Sequence, residues 1–178
     1  CGNGWMSGRQ QIQGGASKKT FVYVYMEVEQ APTRVGVVKD GKINPAEQSA
    51  DGKQTGVAMA FSPGTKKVRL RYGISFISEE QAKRNLKREI SDYDREALAA
   101  KGKQIWNETL GKLKVETSDK DALVKFYSSF YRTFERPICM SEDGKYWSAF
   151  DDQVHEDGGT PFYTDDWIWD TYRAAHPL

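Results

Sequence analysis

Along the first 75 residues the apolar positions fall in short runs separated by turn formers, and from Ser78 onward they recur at intervals of three and four. Phe21-Val22-Tyr23-Val24-Tyr25-Met26-Glu27-Val28 is a run of β-branched and aromatic residues and predicts a strand. Arg34 to Val38 predicts a second, closed by Lys39-Asp40-Gly41-Lys42, where Asp-Gly supplies the positive-φ positions of a tight hairpin turn. Asn44-Pro45 and Asp51-Gly52 mark turns before a third strand over Thr55 to Phe61. Ser62-Pro63-Gly64 separates that strand from Lys67 to Tyr72, whose period-two alternation predicts a fourth. Four short strands punctuated by turns point to an antiparallel sandwich. Residues 1–20 are rich in Gly, Gln, Ser and Lys. Gly2-Asn3-Gly4 and Gly14-Gly15 in that stretch read as loops, because the strand, turn and helix setting of a phosphate cradle is missing.

At Ser78 the texture becomes helical. Ser78-Glu79-Glu80-Gln81 has the form of a capping box, in which the Ser hydroxyl and the Gln amide satisfy backbone N–H groups of the first turn. Ala82, Leu86 and Ile90 then share one face, with Lys83, Arg84, Lys87 and Arg88 on the other. A second helix is predicted over Asp94 to Leu110, interrupted or frayed near Gly102. A third starts from a cap at Ser118 and is stopped by Pro137. Its stripe of Leu123, Phe126, Tyr127, Phe130, Tyr131 and Phe134 asks for a large partner surface. Glu142-Asp143-Gly144 and the alternation in Lys145 to Phe150 predict a small hairpin, followed by a loop from Asp151 to Gly159. Trp167 to His176 reads as the beginning of a last helix, whose two Trp, Ile and Tyr need partner elements. Strands first and helices later define an α+β chain.

Composition narrows the classes of function. Of the 178 residues 38% are hydrophobic and 12% aromatic, too much for a disordered chain. A net charge of +1 gives no electrostatic case for nucleic acid or an anionic membrane. The balance conceals an asymmetry: residues 141–178 sum to −7 and residues 1–140 to +8. No apolar run approaches the roughly 18 residues of a membrane-spanning helix. Cys1 and Cys139 alone define neither a metal site nor a disulfide framework. The sequence opens on Cys1 rather than Met, inside apparently folded material, so the expectation is a piece cut from a longer protein; a lipidated Cys1 is the lesser reading.

The candidate chemistry lies near the C-terminus. His155-Glu156 lacks the second His of a zinc-protease motif, since Gly158, Gly159 and Thr160 stand where it would be. Asp151, Asp152, Glu156 and Asp157 offer hard oxygen ligands without the spacing of the twelve-residue calcium loop, and a solvated acidic face explains them as well. Tyr163 to Arg173 differs in kind. If helical, it places Asp166 with Asp170, and Trp169 with Arg173, at spacing four. Carboxylates accept hydrogen bonds from vicinal hydroxyls and an indole stacks on the apolar face of a pyranose, so the mixture suits a sugar. The bland alternative is an aromatic helix core with Asp170 paired to Arg173.

Phe162-Tyr163-Thr164 followed by Trp169-Asp170-Thr171-Tyr172-Arg173-Ala174 and His176-Pro177-Leu178 resembles glycoside hydrolase family 92, the exo-acting α-mannosidases. Val68 to Ser78 with Gln81-Ala82 and Asn85-Leu86, Trp106-Asn107 with Leu110-Gly111-Lys112, Phe126-Tyr127, and Asp143-Gly144-Lys145-Tyr146 support the resemblance. It implies that residues 1–77 end a β-sandwich domain, 78–117 are a helical linker, and 118–178 start a truncated (α/α)6 catalytic barrel. It further implies calcium-dependent hydrolysis of terminal α-mannose from glycans with inversion, and export from the cytoplasm. The two catalytic carboxylates and the calcium ligands are implied to lie downstream, so no catalytic or metal residue is assigned here. What carries over is substrate binding: Asp170 resembles a contact to the mannose hydroxyls, and Trp169 and Arg173 resemble the wall and support of the pocket. Two rivals remain. One is a non-catalytic carbohydrate-binding module using Trp5, Tyr23 and Tyr25, and the other is a helical adaptor using the Leu123 to Phe134 stripe.

Overall fold

The computed structural model describes residues 1–12, 19–164, 166 and 168–172, with the Asp170 side chain left out. The chain divides into two compact units: Cys1–Tyr93 with Tyr146–His155, and Asp94–Lys145 with Glu156–Leu178.

The first unit begins with strand β1 (Trp5–Gln11), followed by β2 (Phe21–Val28), β3 (Arg34–Lys39), β4 (Lys42–Asn44), β5 (Thr55–Ala60), β6 (Leu70–Ser75) and helix α1 (Glu79–Glu89). They form two antiparallel three-stranded sheets, ordered β1-β2-β6 and β4-β3-β5. The predicted strands over 21–28, 34–38 and 55–61 are present within a residue at each end. At the β3–β4 turn, Asp40 (φ 49°) and Gly41 (φ 74°) take the left-handed positions expected of Asp-Gly. Two differences from the expected strands appear. Trp5–Gln11 is a strand where none is predicted, between the loops read at Gly2-Asn3-Gly4 and Gly14-Gly15, and it forms because β2 offers it a full antiparallel edge from Trp5↔Glu27 to Gln11↔Phe21. The fourth strand is displaced from 67–72 to 70–75, running through Gly73 to pair with Tyr23–Val28.

Helix α1 packs on the β1-β2-β6 sheet, where Tyr25, Ala82 and Leu86 make the core and Tyr23 and Ile90 pack against it. Leu86 is 1% exposed, a burial of about 1.5 to 3 kcal/mol. Ser78 is the N-cap, its hydroxyl accepting from the Gln81 N–H at 3.0 Å. The second half of the expected box differs: the Ser78 N–H donates to Ser75 Oγ, and the buried Gln81 side chain donates to Asn85 Oδ1 at 3.0 Å. Asn85 Nδ2 in turn donates to the Ile74 carbonyl at 2.9 Å, so this polar pair reaches the sheet with its hydrogen bonds made.

A charged node ties β2, β6 and α1 together. Glu27 accepts from Arg71 Nη2 at 2.7 Å, pairs with Lys87 Nζ at 2.7 Å, and takes the Tyr25 hydroxyl at 3.1 Å. Burial pushes the Glu27 carboxyl up, but hydrogen bonds from Lys87 and Arg71 outweigh it and hold the group below the usual carboxylate range. Burial, together with the adjacent Glu27 charge, pushes the Tyr25 phenol up to about 12.

The second unit contains α2 (Arg95–Leu110), α3 (Lys120–Arg132) and strand β7 (Ile138–Cys139). Helix α2 is continuous through Gly102, against the expected interruption; a helical glycine costs about 1 kcal/mol relative to Ala and does not by itself break the ladder. Helix α3 is capped by Asp119, one residue beyond Ser118, because the Asp119 carboxylate accepts from both Asp121 N–H and Ala122 N–H. It ends at Thr133, short of Pro137. Trp106 of α2 packs edge-on against Tyr131 and Phe134, ring centroids 4.5 and 5.8 Å apart, and Phe130 is the one α3 residue that is buried. The full stripe is not covered: Tyr131 is 44% and Phe134 47% exposed.

A hairpin follows, made of β8 (Lys145–Ser148) and β9 (Gln153–Glu156). The second of these takes Gln153–Glu156 out of the expected 151–159 loop, after a turn over residues 149–152 in which Asp152 has φ 59°. Trp147 Nε1 donates to Thr20 Oγ1 at 3.2 Å, a contact within the first unit, to which residues 146–155 belong. The chain closes with β10 (Tyr163–Thr164) and the four-residue helix α4 (Ile168–Thr171).

Candidate functional site

The approach to α4 is fixed by a short ladder. Strand β10 pairs antiparallel with β7, Tyr163 opposite Cys139 and Thr164 opposite Ile138. Met140 N–H donates to the Phe162 carbonyl at 2.8 Å, and Phe162 N–H donates to Ser141 Oγ at 2.9 Å. Helix α4 is closed by Tyr172 N–H donating to the Ile168 carbonyl at 2.9 Å. Thr171 is buried and anchors this turn, while Trp169 is 75% and Ile168 68% exposed. An indole with an exposed face is of the kind on which a ring with an apolar face stacks.

Of the sequence-predicted binding residues, Trp169 and Asp170 stand side by side in α4. Arg173 lies outside the described residues, as does the Asp170 side chain. Asp166 is half-buried and precedes α4, so its expected helical pairing with Asp170 does not hold at its own end.

The acidic loop has its own local explanation. Asp151 Oδ2 meets His155 Nε2 at 2.8 Å; the hydrogen bond from Ser148 and then the His155 partner hold the Asp151 carboxyl below its ordinary range. His155 stacks on Tyr146 at 5.5 Å. Glu156 pairs with Lys145 at 3.0 Å, and Asp157 accepts from Gly159 N–H at 2.9 Å. Among the described residues no three His, Cys, Asp or Glu side chains gather as a metal site.

A second constellation lies in the first unit, and sequence reading found only part of it. Trp5 stacks with Tyr25 at 6.0 Å, and together with Tyr93 and Glu29 they border a cavity of about 290 Å³ in the first unit. The rival module reading had Trp5 and Tyr25 but grouped Tyr23 with them, which packs instead on the Tyr25–Ala82–Leu86 core.

The described residues thus form an antiparallel sheet unit and a helical unit, the latter carrying the exposed Trp169 indole on α4. Comparison with known proteins gives the family. The sequence model of the Glycosyl hydrolase family 92 N-terminal domain matches residues 1–75, and that of the Glycosyl hydrolase family 92 catalytic domain matches residues 81–178. This chain belongs to glycoside hydrolase family 92.

Among solved structures, a family GH92 inverting mannosidase from Bacteroides thetaiotaomicron is 30% identical with a TM-score of 0.83, over 99% of this chain and 24% of that one. A family GH92 α-mannosidase of the same organism is 25% identical with a TM-score of 0.77, over 98% of this chain and 26% of that one. Among curated proteins, an uncharacterized secreted glycosidase of Arthroderma benhamiae is 30% identical over 94 residues, 51% of this chain and 12% of the relative. The chain thus spans about a quarter of the solved relatives and about an eighth of the curated one. Among the described residues no helix is long and apolar enough to cross a membrane.

Proposed function

We propose that the protein carrying this chain is an inverting exo-α-mannosidase that removes terminal α-linked mannose from glycans outside the cytoplasm. The carrying observation is that the family's N-terminal and catalytic domain models succeed each other along this chain, while 99% of it superimposes on an inverting mannosidase at a TM-score of 0.83. In this reading residues 1–77 close a β-sandwich, 78–117 link, and 118–178 open an (α/α)6 barrel.

The chain's own contribution is to bind and orient. Asp170 accepts hydrogen bonds from hydroxyls of the terminal mannose, Trp169 walls the ring, and Arg173 supports the carboxylate. Hydrogen bonds from sugar hydroxyls to an ionised acceptor contribute about 1.5 to 3 kcal/mol each, and they raise the rate to the extent that they strengthen as the ring flattens towards an oxocarbenium ion. Inversion requires an acid and a base about 6.5 to 9.5 Å apart with water between them. Those carboxylates are assigned to parts of the protein beyond this chain, so the 178 residues alone do not hydrolyse. Calcium dependence belongs to the same proposal and rests on residues beyond this chain.

Proton NMR of the intact protein acting on an α-mannoside tests the reading. β-Mannose appearing first, ahead of mutarotation, is the expected result; α-mannose appearing first, or no release, refutes it.

A further inference from the structure

The cavity of the first unit has walls of distinct chemistry. In the β1–β2 register Trp5 stands opposite Glu27 and Ser7 opposite Tyr25, so the indole reaches the Tyr25 ring diagonally and stacks on it at 19°. Tyr25 is 8% exposed and Trp5 39%, which leaves the indole accessible while its neighbour is locked. Tyr93, beyond the end of α1, is held by the Arg71 guanidinium 4.9 Å over its ring.

The polar groups narrow the ligand. Glu27 is already engaged by Arg71, Lys87 and the Tyr25 hydroxyl, so Glu29 and Asn3 are the polar side chains an incoming molecule meets. Glu29 is fixed by Arg69 at 3.0 Å and by Gln30 Nε2 at 2.8 Å. Each carboxylate thus has a cation of its own, and the wall carries little net charge. An anionic ligand would meet the carboxylates of Glu27 and Glu29 at the wall, with their cations already paired to them. A cationic one would find Lys83 already over Tyr25 at 5.5 Å and Arg71 over Tyr93. A neutral molecule with one apolar face and several hydroxyl donors matches what remains, which is the chemistry of a pyranose. The volume of about 290 Å³ is at the small end for ligand pockets, of the order of one sugar ring rather than a chain.

We propose that this cavity binds a pyranose, with the Trp5 indole stacked on the ring and Glu29 and Asn3 taking its hydroxyls. The reading does not depend on the α4 element or on hydrolysis. The test is binding of methyl α-D-mannopyranoside to the intact protein in an Asp170→Ala background, followed by calorimetry and ligand-observed NMR. Trp5→Ala is expected to weaken this binding about tenfold, equivalent to an aromatic contact of about 1.4 kcal/mol, and Glu29→Ala about threefold or more. Trp5 supports Tyr25, so Trp5→Ala can lose the fold, which circular dichroism reports; exposed Glu29 then decides. Unchanged affinity in Glu29→Ala, or no saturable binding left in the Asp170→Ala background, overturns the cavity site and leaves the α4 reading standing. Undiminished hydrolysis by Asp170→Ala overturns the α4 reading instead.

Discussion

Gly73 of β6 lies so close to Ala82 of α1 that a Cβ added to the glycine would stand 2.4 Å from the Ala82 carbonyl oxygen and 2.8 Å from Leu86 N. The helix backbone rests directly on the strand at this point, which is why Ala82 is 0% exposed. Gly73→Ala must push helix from sheet, since the obstructing atoms are backbone. Loss of about 1 to 3 kcal/mol is expected, read as a lowered urea midpoint of the intact protein. An unchanged midpoint would show that α1 sits further from the sheet.

The Glu27 node supplies a second prediction. Glu27→Gln leaves Arg71, whose side chain is 10% exposed, without its counter-charge, and about 3 kcal/mol of stability is expected to go. Lys87→Ala, at a side chain 47% exposed, is expected to cost under about 1 kcal/mol. Equal losses in the two variants would contradict the burial difference.

The same node fixes a pH dependence. The folded Glu27 carboxyl lies below its unfolded value, so its contribution is present above the unfolded carboxylate range and is lost as acid titrates the folded group. The Tyr25 phenol is raised to about 12, so its contribution is full below about 10 and is lost as pH climbs towards 12. Melting temperature of the intact protein should fall at both ends, and Glu27→Gln should flatten the acid limb. An acid limb identical in wild type and variant would remove Glu27 as its source.

In the second unit, Trp106→Ala removes the ring that joins α2 to Tyr131 and Phe134. A loss of about 2 to 3 kcal/mol is expected, with Trp106→Phe retaining most of it. Hydrogen exchange across residues 95–132 measures it, and unaltered protection in Trp106→Ala would show that the aromatic contact carries no weight.

What could be read from sequence follows from where each element gets its stability. Strand β2 is legible because its own β-branched and aromatic residues declare it. Strand β1 is not, because after Trp5 and Met6 it is Ser, Gly, Arg and Gln, and as an outer strand it takes its backbone pairing from β2. Gly73 resembles a breaker in sequence and is instead the residue that lets α1 approach, which displaced the expected strand. At the site, spacing predicts a shared helical face for Asp166 and Asp170, and Asp166 instead precedes α4. Trp5 and Tyr25 of the first-unit cavity were legible, but Tyr93 was not, since strand register and the return of Tyr93 beyond α1 are long-range facts.

Steady-state kinetics of Asp170→Ala in the intact enzyme bear most directly on the claim that this chain helps hold a terminal mannose. A fall in kcat/KM for an α-mannoside worth about 1.5 to 3 kcal/mol, roughly ten- to hundredfold, is predicted with the melting temperature kept. A kcat/KM equal to that of the wild type would contradict it.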